Sequence, residues 1–221
     1  IEWLHDPRFR LPRETELRTI GADRFPQWAG PEGWQTACHN PSVIEAMLTG
    51  EPYPVRAAYI SGVNIVVTYP GTARTIEALK SLDFLAVATQ HMTPTAAFAD
   101  IVLPKTTTLE EEEVSLQPQA PCLSFTRAAV PPAGEARPDV AIARALIERM
   151  AARGAVTDAA LMPWASQRAF NEFLLRETDI MIGQLESRGF ATYEWKHGTY
   201  AETGFATPSG KVELYSDRLA D

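Results

Sequence analysis

The sequence predicts an α/β fold. It would hold a βαβ parallel sheet flanked by helices, an irregular N-terminal stretch and a small C-terminal β-containing segment. Three features of the 221 residues carry this. Val55–Pro104 alternates short apolar runs with polar turns around one helix-spaced segment. Asp139–Arg153 places Val140, Ala143, Leu146, Ile147 and Met150 on one stripe, as an amphipathic helix does. From Gly183 the chain becomes glycine-rich and β-like.

Residues 1–54 are dense in Pro, Gly and Trp, including Trp3, Trp28 and Trp34. Little regular structure is expected before Pro41, and the scattered aromatics imply a packing partner. Pro41–Thr49 reads as a short helix, with Asn40 as N-cap, Pro41 at the first helical position and Gly50 as the stop. His39 and Trp34 read as packing residues, the alternative being that one of them faces an active-site funnel.

The run Ala57–Ile60 is a strand that stops at the turn signal Ser61-Gly62-Val63-Asn64. Thr72–Leu82 spaces Ile76, Leu79 and Leu82 as a helix does. Phe84–Ala88 is continuously apolar, the mark of a strand buried on both faces, and Ile101–Leu103 is another run, closed by Pro104. In a parallel βαβ unit, ligands bind beyond the carboxyl ends of the strands. Those ends are Gly62-Val63-Asn64 and Thr89-Gln90-His91-Met92-Thr93. Gly62 can adopt positive φ or admit a ligand close to the backbone. Asn64 offers donors and an acceptor, and Thr89, Gln90, Thr93 and Thr95 form a hydroxyl- and amide-rich rim. The residues alone allow two readings, a nucleotide-type crevice or an ordinary βα turn beside a solvated loop.

The acidic run Glu110–Glu113 reads as a solvated face, because adjacent carboxylates do not converge on one substrate. Cys122–Val130 reads as a strand. Pro138 starts the Asp139–Arg153 helix and Gly154 ends it. Ala155–Met162 then links it to a second helix, Pro163–Glu177, with Trp164, Phe170, Phe173 and Leu174 as its core side. Phe190–Trp195 and Lys211–Tyr215 read as strands, and Thr207-Pro208-Ser209-Gly210 as a turn. The expected divisions are 1–54, 55–155 and 156–221.

Composition narrows the classes. The formal net charge is −8 with no basic cluster, which argues against nucleic-acid or anionic-membrane partners. No apolar run approaches the roughly 20 residues of a membrane span. The two cysteines, Cys38 and Cys122, and the four scattered histidines have no metal-ligand spacing. No G-x-S-x-G elbow supports a hydrolase. No catalytic or metal-ligating residue is expected in this chain. A chain beginning at Ile1 without a signal peptide reads as a fragment or processed piece, and its compartment is not legible.

The ordered motifs resemble the molybdopterin oxidoreductases of the dimethyl-sulfoxide-reductase and formate-dehydrogenase type. The resemblance rests on Gly62-Val63-Asn64-Ile65, Met92-Thr93-Pro94-Thr95-Ala96 and Ala99-Asp100-Ile101-Val102-Leu103-Pro104. It continues through Glu110, Gly134-Glu135-Ala136-Arg137-Pro138-Asp139 and Thr207-Pro208-Ser209-Gly210-Lys211-Val212-Glu213, covering roughly Arg56 to Leu219. Ile65 stands where that family usually has Pro, and Thr89 where an Asp commonly contacts guanosine. The resemblance implies a Rossmann-like, discontinuous dinucleotide-type domain, of which 55–155 would be half. It implies a bis-molybdopterin guanine dinucleotide cofactor with molybdenum or tungsten, and in many members an N-terminal iron–sulfur cluster. Gly62, Val63, Asn64, Thr89, Gln90, Thr93, Thr95, Asp100 and Lys211 are its implied cofactor-binding residues. On the residues alone, Lys211 reads equally as a solvated strand lysine. The implied partners are the rest of the chain, a small-molecule substrate and a redox partner, the last two unidentified. The implied function is a piece of an oxidoreductase, inactive alone. The alternative is a non-catalytic α/β scaffold or interaction module.

Overall fold

The computed structural model describes residues 10–33, 37–117, 121–156, 162–192, 194 and 196–215. Its elements run α1 (Arg13–Glu16), α2 (Asn40–Thr49), β1 (Ala57–Ser61), α3 (Ile65–Thr68), α4 (Thr72–Lys80), β2 (Phe84–Thr89), a 3₁₀ turn (Ala96–Phe98) and β3 (Ile101–Pro104). They continue as β4 (Glu113–Gln117), β5 (Cys122–Thr126), α5 (Asp139–Ala152), α6 (Gln167–Leu175), α7 (Ile182–Arg188), β6 (Phe190–Thr192) and α8 (Tyr200–Thr203). The fold is mixed α/β, with a three-stranded parallel sheet flanked by helices and a small antiparallel C-terminal sheet. The chain divides into two compact units, Ile1–Glu112 with Arg127–Phe170, and Glu113–Thr126 with Asn171–Asp221.

In the first unit the strands lie in the order β1-β2-β3, with Ile60 beside Val87 and Val87 beside Val102. Strand residues alternate between faces, so every second residue shares a core. Ile60, Leu85 and Val87 are buried against Ile65, Val66, Leu79 and Ala96, with Ala58, Ile76, Phe98 and Val102 packed around them. Leu85 is 1% exposed, and truncating such a residue to Ala costs about 2–5 kcal/mol. The opposite face corrects one expectation in part, because β2 is buried there at Ala88, 1% exposed, but not at Phe84. Tyr59, Phe84 and Ile101 remain 44%, 42% and 47% exposed. They line a groove of ≈ 790 Å³ with Ile142, Leu146 and Met150 of α5, so that helix covers its side of the sheet incompletely.

The N-terminal part of this unit is mostly turns, as expected, with α1 as one short helical turn. Arg10 holds the buried Glu16 through two hydrogen bonds, Nε to Oε1 at 2.7 Å and Nη2 to Oε2 at 3.1 Å. Asn40 is the first residue of α2 rather than its cap. His39 takes the cap position and bonds the Ser42 hydroxyl through Nδ1 at 2.8 Å. The His39 ring stacks on Phe25 at 3.9 Å, and burial, helped by Arg24, pushes its pKa down. That is a packing role. Trp28 is 67% exposed, and Trp3 and Trp34 lie outside the described residues.

In the second unit β4, β5 and β6 form an antiparallel sheet around Val114, Leu175 and Leu185. Leu123, Phe125, Ile182 and Ala191 pack against them. Gly189, at φ 80°, ends α7, and its carbonyl accepts the Phe125 N–H at 2.8 Å. Such a left-handed stop is open to glycine without the Cβ penalty. The expected Cys122–Val130 strand ends at Thr126, and the Pro163–Glu177 helix is shortened to Gln167–Leu175. The expected Phe190–Trp195 strand spans Phe190–Thr192, with residues 193 and 195 outside the described set. Lys211–Tyr215 is not a strand. Its chain folds back instead on the Thr207–Gly210 turn, where the Thr207 hydroxyl donates to the Lys211 carbonyl at 2.7 Å.

Candidate functional site

The carboxyl ends of the parallel strands converge. The Gly62 N–H donates to the Ala88 carbonyl at 3.4 Å, and the Lys105 N–H to the Thr89 carbonyl at 3.1 Å. These bonds continue the ladders past β1 and β3 and set Ser61-Gly62, Thr89 and Lys105 side by side. Residues 136–139 complete the edge. The Arg137 N–H donates to the Pro104 carbonyl at 3.1 Å and the Thr106 N–H to the Arg137 carbonyl at 3.2 Å, which brings Asp139 and the start of α5 to the tips.

Gly62 sits at φ 71°, a conformation side chains rarely adopt. A Cβ built there would meet only Lys105 Nζ within 4 Å, at 3.8 Å, so the backbone is open to an approaching group. Val63 is 40% exposed beside it. Asn64 is turned inward. Its Oδ1 accepts the Thr95 hydroxyl at 2.7 Å and the Thr95 N–H at 3.3 Å. The Thr95 oxygen in turn accepts the Val66 N–H at 3.1 Å, and Thr95 is completely buried. Asn64 and Thr95 therefore clasp the turn after β1 to the loop after β2.

The rim is partly self-satisfied. The Thr89 hydroxyl donates to the His91 carbonyl at 3.0 Å, and Gln90 Nε2 to the Thr106 carbonyl at 2.9 Å. Thr93 Oγ1 accepts the Ala96 N–H at 3.1 Å and caps the 3₁₀ turn. Gly62, Val63, Asn64, Thr89 and Gln90 thus share one end of the sheet, with Thr93 and Thr95 in the adjoining loop. Asp100 lies at the other end. Its carboxylate accepts the Leu85 N–H at 2.7 Å, at the amino ends of β2 and β3. Lys211 belongs to the second unit, on an exposed turn. Glu110 is a loop staple. It accepts the Thr107 N–H at 2.7 Å and the Ala133 N–H at 2.8 Å, and these bonds hold its carboxyl below the usual range.

Three residues at the tips were not among the expected site residues. Lys105 Nζ lies 2.5 Å from Asp139 Oδ2 and 3.3 Å from Ser61 Oγ, and the Ser61 hydroxyl donates to Asp139 Oδ1 at 2.8 Å. The Lys105 ammonium gives the strand tips a donor suited to an anionic group, Gly62 admits a close approach to the backbone, and the Asp139 carboxylate gives an acceptor. No cluster of three or more His, Cys, Asp or Glu residues that could hold a metal ion occurs among the described residues. Nor is any helix among them long and apolar enough to cross a membrane.

A family model described as molybdopterin oxidoreductase matches residues 36–149, a span that includes every residue of the crevice. The chain is 33% identical over 184 residues to the acetylene hydratase of Syntrophotalea acetylenica, covering 80% of this chain and 24% of that protein. It is 27% identical over 209 residues to the thiosulfate reductase molybdopterin-containing subunit PhsA of Salmonella typhimurium, covering 81% of this chain and 26% of that protein. The solved structure of acetylene hydratase from Pelobacter acetylenicus superposes with a TM-score of 0.75 at 27% identity, covering 94% of this chain and 31% of that one. The chain spans about a quarter of the length of these two curated relatives. On the matched span and the shared fold, it belongs to the molybdopterin oxidoreductase family of the dimethyl-sulfoxide-reductase and formate-dehydrogenase type.

Proposed function

We propose that this chain is part of a molybdenum- or tungsten-pterin oxidoreductase and contributes a wall of its guanine-dinucleotide site. The observation that carries this reading is the open Gly62 backbone at the tips of three parallel strands, with Lys105 3.8 Å from its built Cβ. When bound, the metal-pterin group supplies the oxygen-atom or electron transfer. This chain's residues hold the nucleotide end. Gly62 and Val63 admit it to the backbone, Asn64 and Thr95 fix the turn, and Thr89 and Gln90 border it. Asp100 supports the strands from their far end. Residues 55–155 act as half of a discontinuous domain, and the 221-residue chain alone has no turnover. The relatives named as a hydratase and a reductase act on different substrates, so the proposal stops at the cofactor.

One observation favours a second reading. Thr89 stands where an acidic residue would meet the base, and its hydroxyl is engaged by its own loop. A non-catalytic scaffold that kept the fold would look the same at this position.

The test is the molybdenum and tungsten content of the native polypeptide, with its mass taken from the same preparation. About one metal per molecule on a chain much longer than 221 residues is the expected result. A metal-free chain near 24.3 kDa would overturn the proposal in favour of the scaffold.

A further inference from the structure

Lys105 leaves the end of β3, yet its ammonium reaches Ser61 at the end of β1, with β2 lying between the two strands. It therefore lies across the tip of the central strand. Its side chain is only 11% exposed, so the position of the charge is set before any ligand arrives. Its carboxylate partner differs, because the Asp139 side chain is 56% exposed. A pair with one solvated member gains little from its Coulomb attraction, so exchanging that member for another anion costs little. A Cβ built on Gly62 would meet the ammonium at 3.8 Å, so the charge lies beside that open backbone. In a chain of net charge −8, a phosphate needs such a local cation to approach.

We infer that Lys105 is the phosphate-facing cation of the crevice and that Asp139 is the anion it gives up when a ligand binds. The crevice consequently selects a nucleoside diphosphate over the unphosphorylated nucleoside. This rests on reading the strand tips as a guanine-dinucleotide site, and it adds the residue that sets the preference. Lys105 acts as a positioning charge, with Ser61 holding Asp139 in the unliganded state.

The test is calorimetric titration of the apo full chain with GDP and with guanosine, at low and high salt. Wild type should bind GDP more tightly than guanosine, and the difference should shrink with salt. Lys105→Gln should weaken GDP roughly 10- to 100-fold and leave guanosine unchanged. Lys105→Arg should keep most of the GDP affinity. Asp139→Asn retains an acceptor for Ser61 but removes the competing charge, so it should tighten GDP and leave guanosine unchanged. That sign separates ligand exchange from a merely structural ion pair, and it keeps the test open should Lys105→Gln not fold. GDP affinity unchanged in folded Lys105→Gln, or GDP weakened by Asp139→Asn, would overturn the inference while the site reading stands. Wild type binding neither guanosine nor GDP would overturn the site reading, and this inference with it.

Discussion

Two threonines of the first unit, both completely buried, should respond oppositely to the same substitution. Thr95 is the hinge of the clasp. Its oxygen accepts the Val66 N–H at 3.1 Å and its hydroxyl donates to Asn64 Oδ1 at 2.7 Å. Val66 is 6% exposed, so no water replaces that acceptor readily. Thr95→Val keeps the shape but orphans a buried N–H, which costs about 1–3 kcal/mol, and loses a hydrogen bond of about 1 kcal/mol. The extra methyl returns up to about 1 kcal/mol, so the expected net loss is about 2 kcal/mol. Thr75 lies buried in α4. No partner for its hydroxyl lies within hydrogen-bond reach among the described residues. Thr75→Val removes an unsatisfied polar atom and strands nothing, so it should be neutral or stabilising by about 1 kcal/mol. Urea denaturation at unchanged m-value reads both. Amide exchange at Val66 should accelerate only in Thr95→Val. Shifts of the same sign and size in the two variants would refute the hydrogen-bond assignment that decides them.

The remaining predictions concern charged groups. Glu16 is 4% exposed and holds Arg10 through two hydrogen bonds, so Glu16→Ala should cost about 3–5 kcal/mol by leaving a poorly solvated guanidinium without its carboxylate, held by the Pro31 carbonyl at 3.3 Å from Nη2. Combining Arg10→Met with Glu16→Leu should recover most of that loss in the same denaturation assay. Glu110 has its carboxyl pKa lowered by two backbone N–H donors. A depressed folded pKa means the unfolded chain binds the proton more readily. The stabilisation is therefore complete above the ordinary carboxylate range and is lost as pH falls through the lower folded value. Melting temperatures recorded from neutral to acid pH should fall less steeply for Glu110→Gln than for wild type, and parallel curves would remove the staple role.

The fold was legible because local signals and long-range pairing agreed. The apolar runs at Ala57–Ile60, Phe84–Ala88 and Ile101–Leu103 lie within β1, β2 and β3, and Gly62 marks the turn beyond the first. The misreadings have physical causes. Phe84–Ala88 reads as doubly buried because an apolar run reports compatibility with burial, whereas burial itself depends on how closely α5 approaches. Lys211–Tyr215 alternates as a strand does, but strand formation needs a partner ladder, and the Thr207 hydroxyl takes the Lys211 carbonyl instead. Asn40 lost the cap position to His39, whose ring bond to Ser42 is not a preference that cap statistics contain.

The site was legible only where chemistry is local. Gly62 and Asn64 announced a turn through their own conformational and hydrogen-bonding character. The Asn64–Thr95 clasp joins residues 31 apart, Lys105 meets Ser61 across 44, and Ser61 meets Asp139 across 78. None of those pairings is visible within a window of sequence. Lys105 follows a strand-ending proline and looks like a solvated loop lysine. Asp139 begins a helix and looks like a favourable first-turn acid. Parallel pairing brings both to the strand tips. It stacks the carboxyl ends of β1, β2 and β3 in register, so residues distant in the chain become neighbours along one edge. Thr89 shows the converse. Its position at the carboxyl end of β2 put it among the candidate ligand contacts, yet at the same edge its hydroxyl turns back to the His91 carbonyl. Position at the edge is set by topology, whereas the direction a polar group faces is set by which partner reaches it first. At these strand tips the charge comes from the sheltered Lys105 ammonium and the more exposed Asp139 carboxylate, and the exchange proposed between them is open to measurement.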